Sequence, residues 1–421
     1  MHFILSPVGS AGDVHPYLGL AIAMRERGHR VTFVINGYFH DLVASHGFEQ
    51  LEFGTAEQFL EASNHPDLWH PRRAMRYVMH WVLKHAMRQY ELVMEAYQPG
   101  SRVLSSCLGF GALMAQDKHN IPVRTIHLQP SVIWSMEAPA KLPALFGPPW
   151  LQYWMRKFAS RYAIPWIIGR PLNRLRSELQ LPPVRDVMQW WNSKLGVLAL
   201  FPDWYCAPAG DWPPTLQADF PLWDAGDDQP LATEVRDFLK AGESPIAFTP
   251  GSANRFAAHH MSEFVAACQQ LKRRAILLTK FREQVPANLP DSVAAFSYVP
   301  YSRLLPHCAA SVHHGGIGTT AQGLQAGIPQ LIMALAHDQY DNGDRIMRLG
   351  AGAWVPSGKF RAGRIADVLE SLLSPRSQQQ ARSIAARTRT DGLARAVKLL
   401  EDAADGDDRD DTNEAVAGAP V

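Results

Sequence analysis

The chain has 421 residues, enough for two domains with separate cores, and its formal net charge is only +1. Hydrophobic residues make up 47% and charged residues 19%, which excludes a disordered chain, and the balanced charge excludes a basic nucleic-acid-binding surface. The four cysteines show no C-x-x-C pairing, which argues for a reducing compartment and against disulfides or a zinc site. The start of the chain lacks the basic segment of a signal peptide, and no apolar run could span a bilayer, so we expect a cytoplasmic protein.

The N-terminal segment predicts a parallel βαβ unit. A short strand at residues 3–5 precedes a glycine-containing loop at 9–16, an apolar-periodic helix through Met24 and a second strand at 29–35. The loop glycines suggest a dinucleotide site, but G-S-A-G-D-V lacks the spacing G-x-G-x-x-G, and no acidic residue ends the second strand. A Rossmann oxidoreductase is therefore an unfavoured interpretation.

Large aromatic side chains mark the middle of the first half. Residues 55–97 have a helical pattern, strands follow at 103–106 and 123–127, and residues 133–191 interrupt the alternation with many Trp, Tyr and Phe residues. Trp69 and Trp134 lie in these aromatic segments, which fit either an apolar acceptor pocket or an aromatic-rich core.

The βα alternation resumes in the second half of the chain. The predicted fold is α/β, with two Rossmann-like parallel-sheet domains facing each other across a cleft. We expect a first domain at residues 1–205, a linker at 206–235 and a second domain at 236–400, whose last helix crosses back to the first domain. The acidic residues 401–421 lack an apolar period, which predicts disorder.

The stretch from residue 311 to 342 predicts a phosphate site beside a polyol site. A strand ends at His313 and His314, and a glycine-rich turn leads into a helix, so backbone N–H groups and the helix N-terminus can approach an anion. The next strand ends just before Asp338 and Gln339, a carboxylate and an amide that suit sugar hydroxyls. In an open α/β sheet both groups lie beyond the carboxyl ends of the strands.

These motifs resemble a known family. The pattern H-H-G-G-x-G-T-x-x-x-x-L-x-x-G-x-P-Q from His313, followed by H-D-Q-x-D-N from His337, is similar to the donor-site signature of GT-B glycosyltransferases of family 1. The pattern G-S-x-G-D-V-x-P-x-x-x-L-A from Gly9 resembles their acceptor-domain loop, and the resemblance covers about residues 1–400. Within the family, H-P-D-L-W, G-D-W-P and A-H-D-Q-x-D-N resemble the rhamnosyltransferases of rhamnolipid biosynthesis.

The resemblance implies an inverting glycosyl transfer without a metal or other cofactor. The donor would be dTDP-L-rhamnose, and the acceptor a 3-(3-hydroxyalkanoyloxy)alkanoic acid. The resemblance gives Asp13 the role of general base, whereas spacing alone fits a helix N-cap equally well. His15 is the second candidate base, although a surface histidine is its better interpretation.

The resemblance also assigns the donor side. His314 would bind the diphosphate, Asp338 and Gln339 would bind the sugar, and His313 would pack in the core on the other face of its strand. The remaining predicted donor contacts are Ser252, Gly316, Gly318 and Thr319 at the phosphates and Tyr298 and Val299 at the base. The residues expected on the acceptor side are Gly12, Trp69 and Trp134, and the candidates for binding the acceptor carboxylate are Arg72, Arg73, Arg76 and Lys84.

Other functions remain open at this point. The same donor site would serve a transferase for a polyketide or sterol, and a nucleotide-sugar epimerase of the same fold would need no apolar acceptor pocket. A non-catalytic subunit is disfavoured by the complete set of Asp13, His314, Asp338 and Gln339. Expected partners are the nucleotide-sugar donor, the lipid-like acceptor, the acyl-dimer synthase that makes the acceptor and, through loose association, the surface of the inner membrane.

Overall fold

The computed structural model describes residues 1–70, 73–143, 145, 147–224, 226, 229–252 and 254–417, with side chains to residue 404. Two parallel sheets follow each other along the chain, as the alternating pattern predicted. None of the helices in these described ranges is both long and apolar enough to cross a bilayer.

The first sheet has seven strands in the order β3-β2-β1-β4-β5-β6-β7. The strands are β1 His2–Ser6, β2 Arg30–Ile35, β3 Glu49–Glu52, β4 Ser101–Ser106, β5 Val123–His127, β6 Val197–Ala199 and β7 Thr215–Gln217. Strand β7 lies inside the segment expected to be a linker, residues 206–235, so the first domain extends to Gln217. Three residues among prolines give too short a pattern to predict a strand.

The helices of the first domain are α1 Ala11–Glu26, α2 His40–Ser45, α3 Ala56–Ser63, α4 Ala74–Ala96, α5 Phe110–His119, α6 Pro149–Phe158, α7 Arg170–Glu178 and α8 Val187–Trp190. The helical pattern of residues 55–97 is divided, because α3 ends before a 3₁₀ turn at Pro66–Trp69 and α4 begins only at Ala74. Between α6 and α7 the chain remains helical through two π-helical segments, Ala159–Ala163 and Pro165–Gly169.

The second sheet has six strands in the order β10-β9-β8-β11-β12-β13. They are β8 Ile246–Thr249, β9 Ala275–Leu278, β10 Val293–Phe296, β11 Ala310–His313, β12 Gln330–Ala334 and β13 Gly352–Pro356. The helices are α9 Thr233–Lys240, α10 Ala258–Gln270, α11 Tyr301–Leu304, α12 Ile317–Ala326, α13 Gln339–Arg348, α14 Ala362–Leu372 and α15 Pro375–Ala385. The predicted fold of two Rossmann-like parallel-sheet domains is confirmed.

The last helix, α16 Gly392–Ala417, returns to the first domain. Glu401 accepts hydrogen bonds from Arg27 at 2.5 Å and from His29 at 2.7 Å, which ties this helix to α1 and the start of β2. The predicted disorder of residues 401–421 therefore differs from the structure, because the helix continues through Ala417; residues 418–421 lie outside the described residues. As far as residue 404, packing against α1 supplies helical stability that the polar sequence itself does not predict.

Candidate active site

Asp13 lies in the first turn of α1, which follows β1 after a short loop. The N-cap is Ser10 and not Asp13, and the Asp13 carboxylate reaches back to it: Ser10 donates to Oδ2 from its backbone N–H at 2.7 Å and from its hydroxyl at 3.1 Å. Gly9 has φ +144°, and a Cβ there would lie 2.2 Å from Oδ2. The loop thus holds one carboxylate oxygen and leaves Oδ1 without a hydrogen bond to any described residue. Burial raises the pKa of Asp13, against the two bonds from Ser10 that lower it.

Asp338 faces Asp13 from the second domain. It directly precedes α13, and burial, followed by the negative charge of Asp13, raises the pKa of Asp338 to about 7. The charge of Asp13 acts on Asp338 from the other domain, so the two carboxylates lie close to each other between the domains. The side-chain amide of Asn342 donates to Asp338 Oδ2 at 2.7 Å and fixes its orientation.

His314 follows β11, and its ring is held between two glycines. A Cβ on Gly251 would lie 2.9 Å from the ring atom Nδ1, and a Cβ on Gly316 would lie 2.6 Å from Nε2. Nδ1 is buried and has no hydrogen-bond partner among the described residues. Burial lowers the pKa of His314 to about 3, so the ring is neutral at pH 7 and acts as a hydrogen-bond donor. An unpartnered polar atom in this position is suited to a ligand.

The neighbouring His313 is instead part of the core. Its Nδ1 accepts from the backbone N–H of Gly315 at 3.1 Å, so its Nε2 carries the proton that is donated to Gln330 Oε1 at 2.8 Å. The residue is fully buried, and burial lowers its pKa to about 4. The two adjacent histidines therefore have different environments, with only His314 left unpaired.

Helix α12 begins next to the His314 ring. Its N-cap, Gly316, has no side chain to cap the helix, so the first N–H groups remain available to an anion. Gly318 is exposed, and Thr319 is half-buried. The hydroxyl of Tyr301 lies beside the side chains of Thr249 and Thr319, which lower its pKa, while burial has the larger effect and raises the pKa of Tyr301 to about 12. Tyr301 thus braces the turn, a role that no motif in the sequence indicated.

Gln339, predicted to bind sugar hydroxyls together with Asp338, has its side-chain oxygen engaged within the protein. Its side chain is only 2% exposed, and Oε1 accepts the backbone N–H groups of Leu335 at 2.7 Å and Ala336 at 3.1 Å. That oxygen is committed to shaping the loop between β12 and α13. The sequence motif does not distinguish this internal bond from a contact with a ligand.

Helix α13 also connects the two domains. Asp341 accepts the backbone N–H of Lys141 at 2.8 Å, and the Lys141 ammonium lies 3.0 Å from Asp344. Asn342 Oδ1 accepts from the hydroxyl of Tyr205 at 2.9 Å. These interdomain contacts were not predicted, although Asp341 and Asn342 stood in the motif.

Trp69 is brought to the cleft by a second connection. His337, with φ +55°, donates from Nε2 to the backbone oxygen of Leu68 at 2.9 Å, and its ring meets that of Trp69 edge-on at 6.0 Å. Trp69 Nε1 is buried without a hydrogen-bond partner among the described residues. The predicted acceptor-side residue Trp69 therefore lies beside the loop that carries Asp338.

The other acceptor-side predictions are less central. Trp134 donates from Nε1 to Ser160 at 2.8 Å, and the Arg156 guanidinium covers its ring at 5.1 Å. Gly12 is exposed in the first turn of α1, and His15 is partly buried, with its ring packed edge-on against Trp223 at 5.5 Å.

The predicted carboxylate-binding residues are dispersed. Arg73 forms an ion pair with Asp67 at 3.1 Å, and Arg76 and Lys84 are exposed along α4. Arg72 lies outside the described residues. The structure therefore selects none of the four.

The remaining donor-side predictions lie around the second sheet. Ser252 is exposed in the turn after β8, Tyr298 is 57% exposed, and the Val299 side chain is buried in the core below it. Within the described ranges, no group of three or more His, Cys, Asp or Glu side chains is placed to hold a metal ion.

Comparison with known proteins identifies the class. Residues 3–136 match the glycosyltransferase family 28 N-terminal domain, and residues 265–398 match the erythromycin biosynthesis protein CIII-like C-terminal domain. Glycosyltransferase GtfE of Amycolatopsis orientalis is 28% identical over 411 residues, which cover 95% of this chain and 97% of that protein.

Solved structures agree with this fold. The glycotransferase of kitacinnamycin has a TM-score of 0.72 at 20% identity, covering 96% of this chain and 98% of that one. The spinosyn rhamnosyltransferase SpnG, complexed with thymidine diphosphate, has a TM-score of 0.66 at 17% identity, covering 95% and 100% of the two chains. This chain is a glycosyltransferase of the GT-B type that uses a nucleotide-sugar donor. Its first domain is of the family 28 type, and its second is of the erythromycin CIII-like type.

Proposed function

We propose that this enzyme transfers L-rhamnose from dTDP-L-rhamnose to the hydroxyl of a 3-(3-hydroxyalkanoyloxy)alkanoic acid, giving a mono-rhamnolipid. The observation that carries the proposal is that the charge of Asp13 acts on Asp338, which Asn342 joins to the turn that follows the unpaired His314. A base on one side and an anion site on the other suit direct displacement at the sugar carbon between them.

In this mechanism the free Oδ1 of Asp13 accepts the proton of the acceptor hydroxyl. The acceptor oxygen forms a bond to the anomeric carbon, while the bond from that carbon to the diphosphate oxygen breaks, so the configuration inverts. The electron pair of the broken bond leaves with dTDP. His314 and the free N–H groups of α12 stabilise the negative charge that develops on the leaving group.

We propose that hydrogen-bond donors of the protein alone stabilise the negative charge on the leaving diphosphate, without a metal or other cofactor. Gly316, Gly318 and the hydroxyl of Ser252 would complete the phosphate contacts, and Thr319 would share its hydroxyl between the ligand and Tyr301. The exposed ring of Tyr298 would cover the thymine, while the backbone of Val299 would bind its edge. Asp338 would accept hydrogen bonds from sugar hydroxyls.

The acceptor would lie along the cleft beside Trp69, whose unpaired Nε1 can donate to an ester or carboxylate oxygen. The enzyme that produces the acyl dimer would be the natural partner in the cytoplasm. A second candidate acceptor is an apolar natural product such as a polyketide, which the likeness to a spinosyn rhamnosyltransferase favours. An epimerase would use the same donor site but would have no need of Asp13 as an acceptor base.

Two nucleotide-sugar donors, each with and without the acceptor, test the proposed donor and acceptor. Purified enzyme is incubated with dTDP-L-rhamnose or UDP-glucose, each with and without the hydroxyacyl dimer, and products are read by mass spectrometry. Rhamnosylated dimer formed only with dTDP-L-rhamnose is the expected result. Turnover with UDP-glucose but none with dTDP-L-rhamnose would overturn the assigned sugar, and a changed donor without any acceptor would indicate an epimerase.

The base is tested separately. Asp13→Asn keeps the hydrogen bonds from Ser10 within reach but removes the proton acceptor, so transfer should fall by ~10²–10⁴-fold while dTDP binding is retained. Asp41→Asn is the matched control, since Asp41 is an exposed carboxylate in the first turn of another helix, α2. Activity of Asp13→Asn above a few per cent of the native rate would reduce Asp13 to a capping residue.

A further inference from the structure

One long helical segment of the first domain leaves its aromatic side chains in solvent. The segment comprises α6, the two π-helical turns and the start of α7. Its exposed aromatic residues are Trp150 at 66%, Tyr153 at 43%, Trp154 at 64%, Phe158 at 62%, Tyr162 at 60% and Trp166 at 57%. Single exposed apolar residues are ordinary, but a contiguous set of large rings marks an interaction surface.

These rings form a straight stripe because of the helix geometry. Trp150, Trp154, Phe158, Tyr162 and Trp166 recur at every fourth residue. Four residues overshoot one turn of an α-helix, which has about 3.6 residues per turn, and fall short of one turn of the wider π-helix. Successive rings are therefore rotated around the helix axis in one direction along α6 and in the other direction between Ala159 and Gly169. As a result the rings stay on one face for roughly 25 Å, at about 1.5 Å per residue. We name this face the aromatic stripe.

The opposite side of the segment is anchored in the protein. Ile168 and Leu172 are buried in the core of the first domain, and Arg156 is buried against the ring of Trp134. The stripe is thus held rigidly outward and is not an unfolded end of the chain.

Positive charge surrounds the stripe. Lys157, Arg161, Arg170 and Arg174 are exposed on the same segment, and none of them forms an ion pair within the described part of the chain. Residues 138–177 contain no Asp or Glu. The remaining cations of this region are engaged elsewhere, as Arg176 is with Asp117 at 2.7 Å.

We propose that the aromatic stripe is a docking surface for an anionic phospholipid bilayer. Tryptophan and tyrosine rings favour the boundary between headgroups and acyl chains, and lysine and arginine beside them are attracted to anionic headgroups. A second copy of this chain is a poorer occupant, because a two-fold contact between stripes would bring eight unpaired cations together. The inference depends on the proposed function only in giving the enzyme access to a membrane-embedded acyl acceptor.

The test is sedimentation of the full-length enzyme with vesicles, in the absence of donor and acceptor. Vesicles of phosphatidylcholine are compared with vesicles that also contain about 30% phosphatidylglycerol. At low salt the native enzyme should bind the anionic vesicles at least tenfold more strongly, and the difference should shrink as salt is added. Because no sugar transfer is measured, failure here leaves the proposed function untouched.

Two sets of variants separate rings from charge. Combined Trp150→Ser, Trp154→Ser and Trp166→Ser should weaken binding to both kinds of vesicle. Combined charge reversal to Glu of Lys157, Arg161, Arg170 and Arg174 should remove the preference for anionic vesicles. The control reverses four exposed cations outside the stripe: Lys240, Arg364, Arg376 and Lys398. Circular dichroism and dTDP binding verify that each variant is folded.

The proposal fails if the native enzyme sediments equally with both vesicles, or if the control reversal lowers anionic binding as much as reversal at the stripe. It also fails if the enzyme is a dimer in size-exclusion chromatography that the three Trp→Ser changes convert to a monomer, since a second copy would then occupy the stripe.

Discussion

Asn342 donates its side-chain amide to the Asp338 carboxylate at 2.7 Å, and its side-chain oxygen accepts the hydroxyl of Tyr205 at 2.9 Å. The same amide also donates to the backbone oxygen of Gly315 at 2.9 Å, in the turn that follows His314. One fully buried side chain therefore joins the proposed sugar carboxylate, the proposed phosphate turn and the other domain. The geometry of the donor site depends on the contact between domains.

Removing the Tyr205 hydroxyl should loosen this arrangement. Tyr205→Phe leaves Asn342 Oδ1 buried without a donor, which costs about 1–3 kcal/mol of folding free energy. Urea denaturation measures this loss, and the KM for the donor should rise severalfold because Asp338 is no longer fixed. The control is Tyr38→Phe, where the hydroxyl meets Lys280 at 3.3 Å on the surface, and which should lose less than about 0.5 kcal/mol. Equal effects of the two changes would contradict the role of Asn342.

The two adjacent histidines should respond in opposite ways. His314→Asn removes an unpaired ring, so folding stability should change little, while transfer falls by ~10²–10³-fold because a donor to the leaving diphosphate is lost. His313→Ala removes the partner of Gly315 N–H and Gln330 Oε1, so it should lose about 2–4 kcal/mol of stability. Thermal denaturation and isothermal titration with dTDP distinguish the two. Loss of dTDP binding in a folded His313→Ala, with binding retained in His314→Asn, would exchange their roles.

The sequence predicted the parts of this molecule that depend on local pattern. Strand–helix alternation and the glycine turns placed both sheets and the loops of Asp13 and His314, because these features depend on residues close together in the chain. It did not predict the contacts of Lys141 with Asp341 or of Tyr205 with Asn342, which join residues 200 and 137 positions apart. Those contacts follow from the packing of one domain on the other, for which a single sequence carries no periodic signal.

Glycines beside the His314 ring provide a steric test. Gly316 has φ −62°, which alanine adopts without strain, but its Cβ would lie 2.6 Å from His314 Nε2. Gly316→Ala should therefore displace the ring and weaken dTDP binding at least tenfold with little loss of folding stability. Gly363→Ala in helix α14 is the control, because a Cβ there has no neighbour within 4 Å, and alanine in a helix should add about 0.5–1 kcal/mol of stability. Equal dTDP affinity of the two variants would show that the ring position is not important for binding.

The charge of Asp338 should make both stability and donor binding depend on pH. Burial and the Asp13 charge raise its pKa to about 7 in the folded protein, against about 3.9 in an unfolded chain. Between these two pKa values the folded state binds a proton that the unfolded chain does not. The free energy of unfolding therefore rises as pH falls below 7 and falls as pH rises to 7. Donor binding should have the opposite dependence, with the KM rising below pH 7 as the carboxylate that accepts sugar hydroxyls is protonated.

Asp338→Asn removes that charge while keeping an oxygen that can accept from Asn342. The variant should be more stable than the native enzyme at pH 8, by about 1–2 kcal/mol, and nearly equal to it at pH 5. Asp391→Asn should change stability in the opposite direction. The hydrogen bonds that Arg389 donates to Asp391 lower the pKa of Asp391, so removing this carboxylate should reduce the free energy of unfolding at pH 8. Urea denaturation at the two pH values measures both differences.

The Asp338→Asn change should also alter the kinetics of the enzyme. The variant should lose activity at pH 8 despite its greater stability, and its donor KM should no longer change between pH 6 and 8. Burial and the hydrogen bonds from Ser10 set the pKa of Asp13, and Asp338 is already protonated where Asp13 titrates, so the acid limb of kcat should stay where the native enzyme has it. A stable variant with native activity would mean that the Asp338 carboxylate does not bind the sugar. A variant that is destabilised equally at pH 5 and pH 8 would mean that Asp338 acts only as a structural link to Asn342.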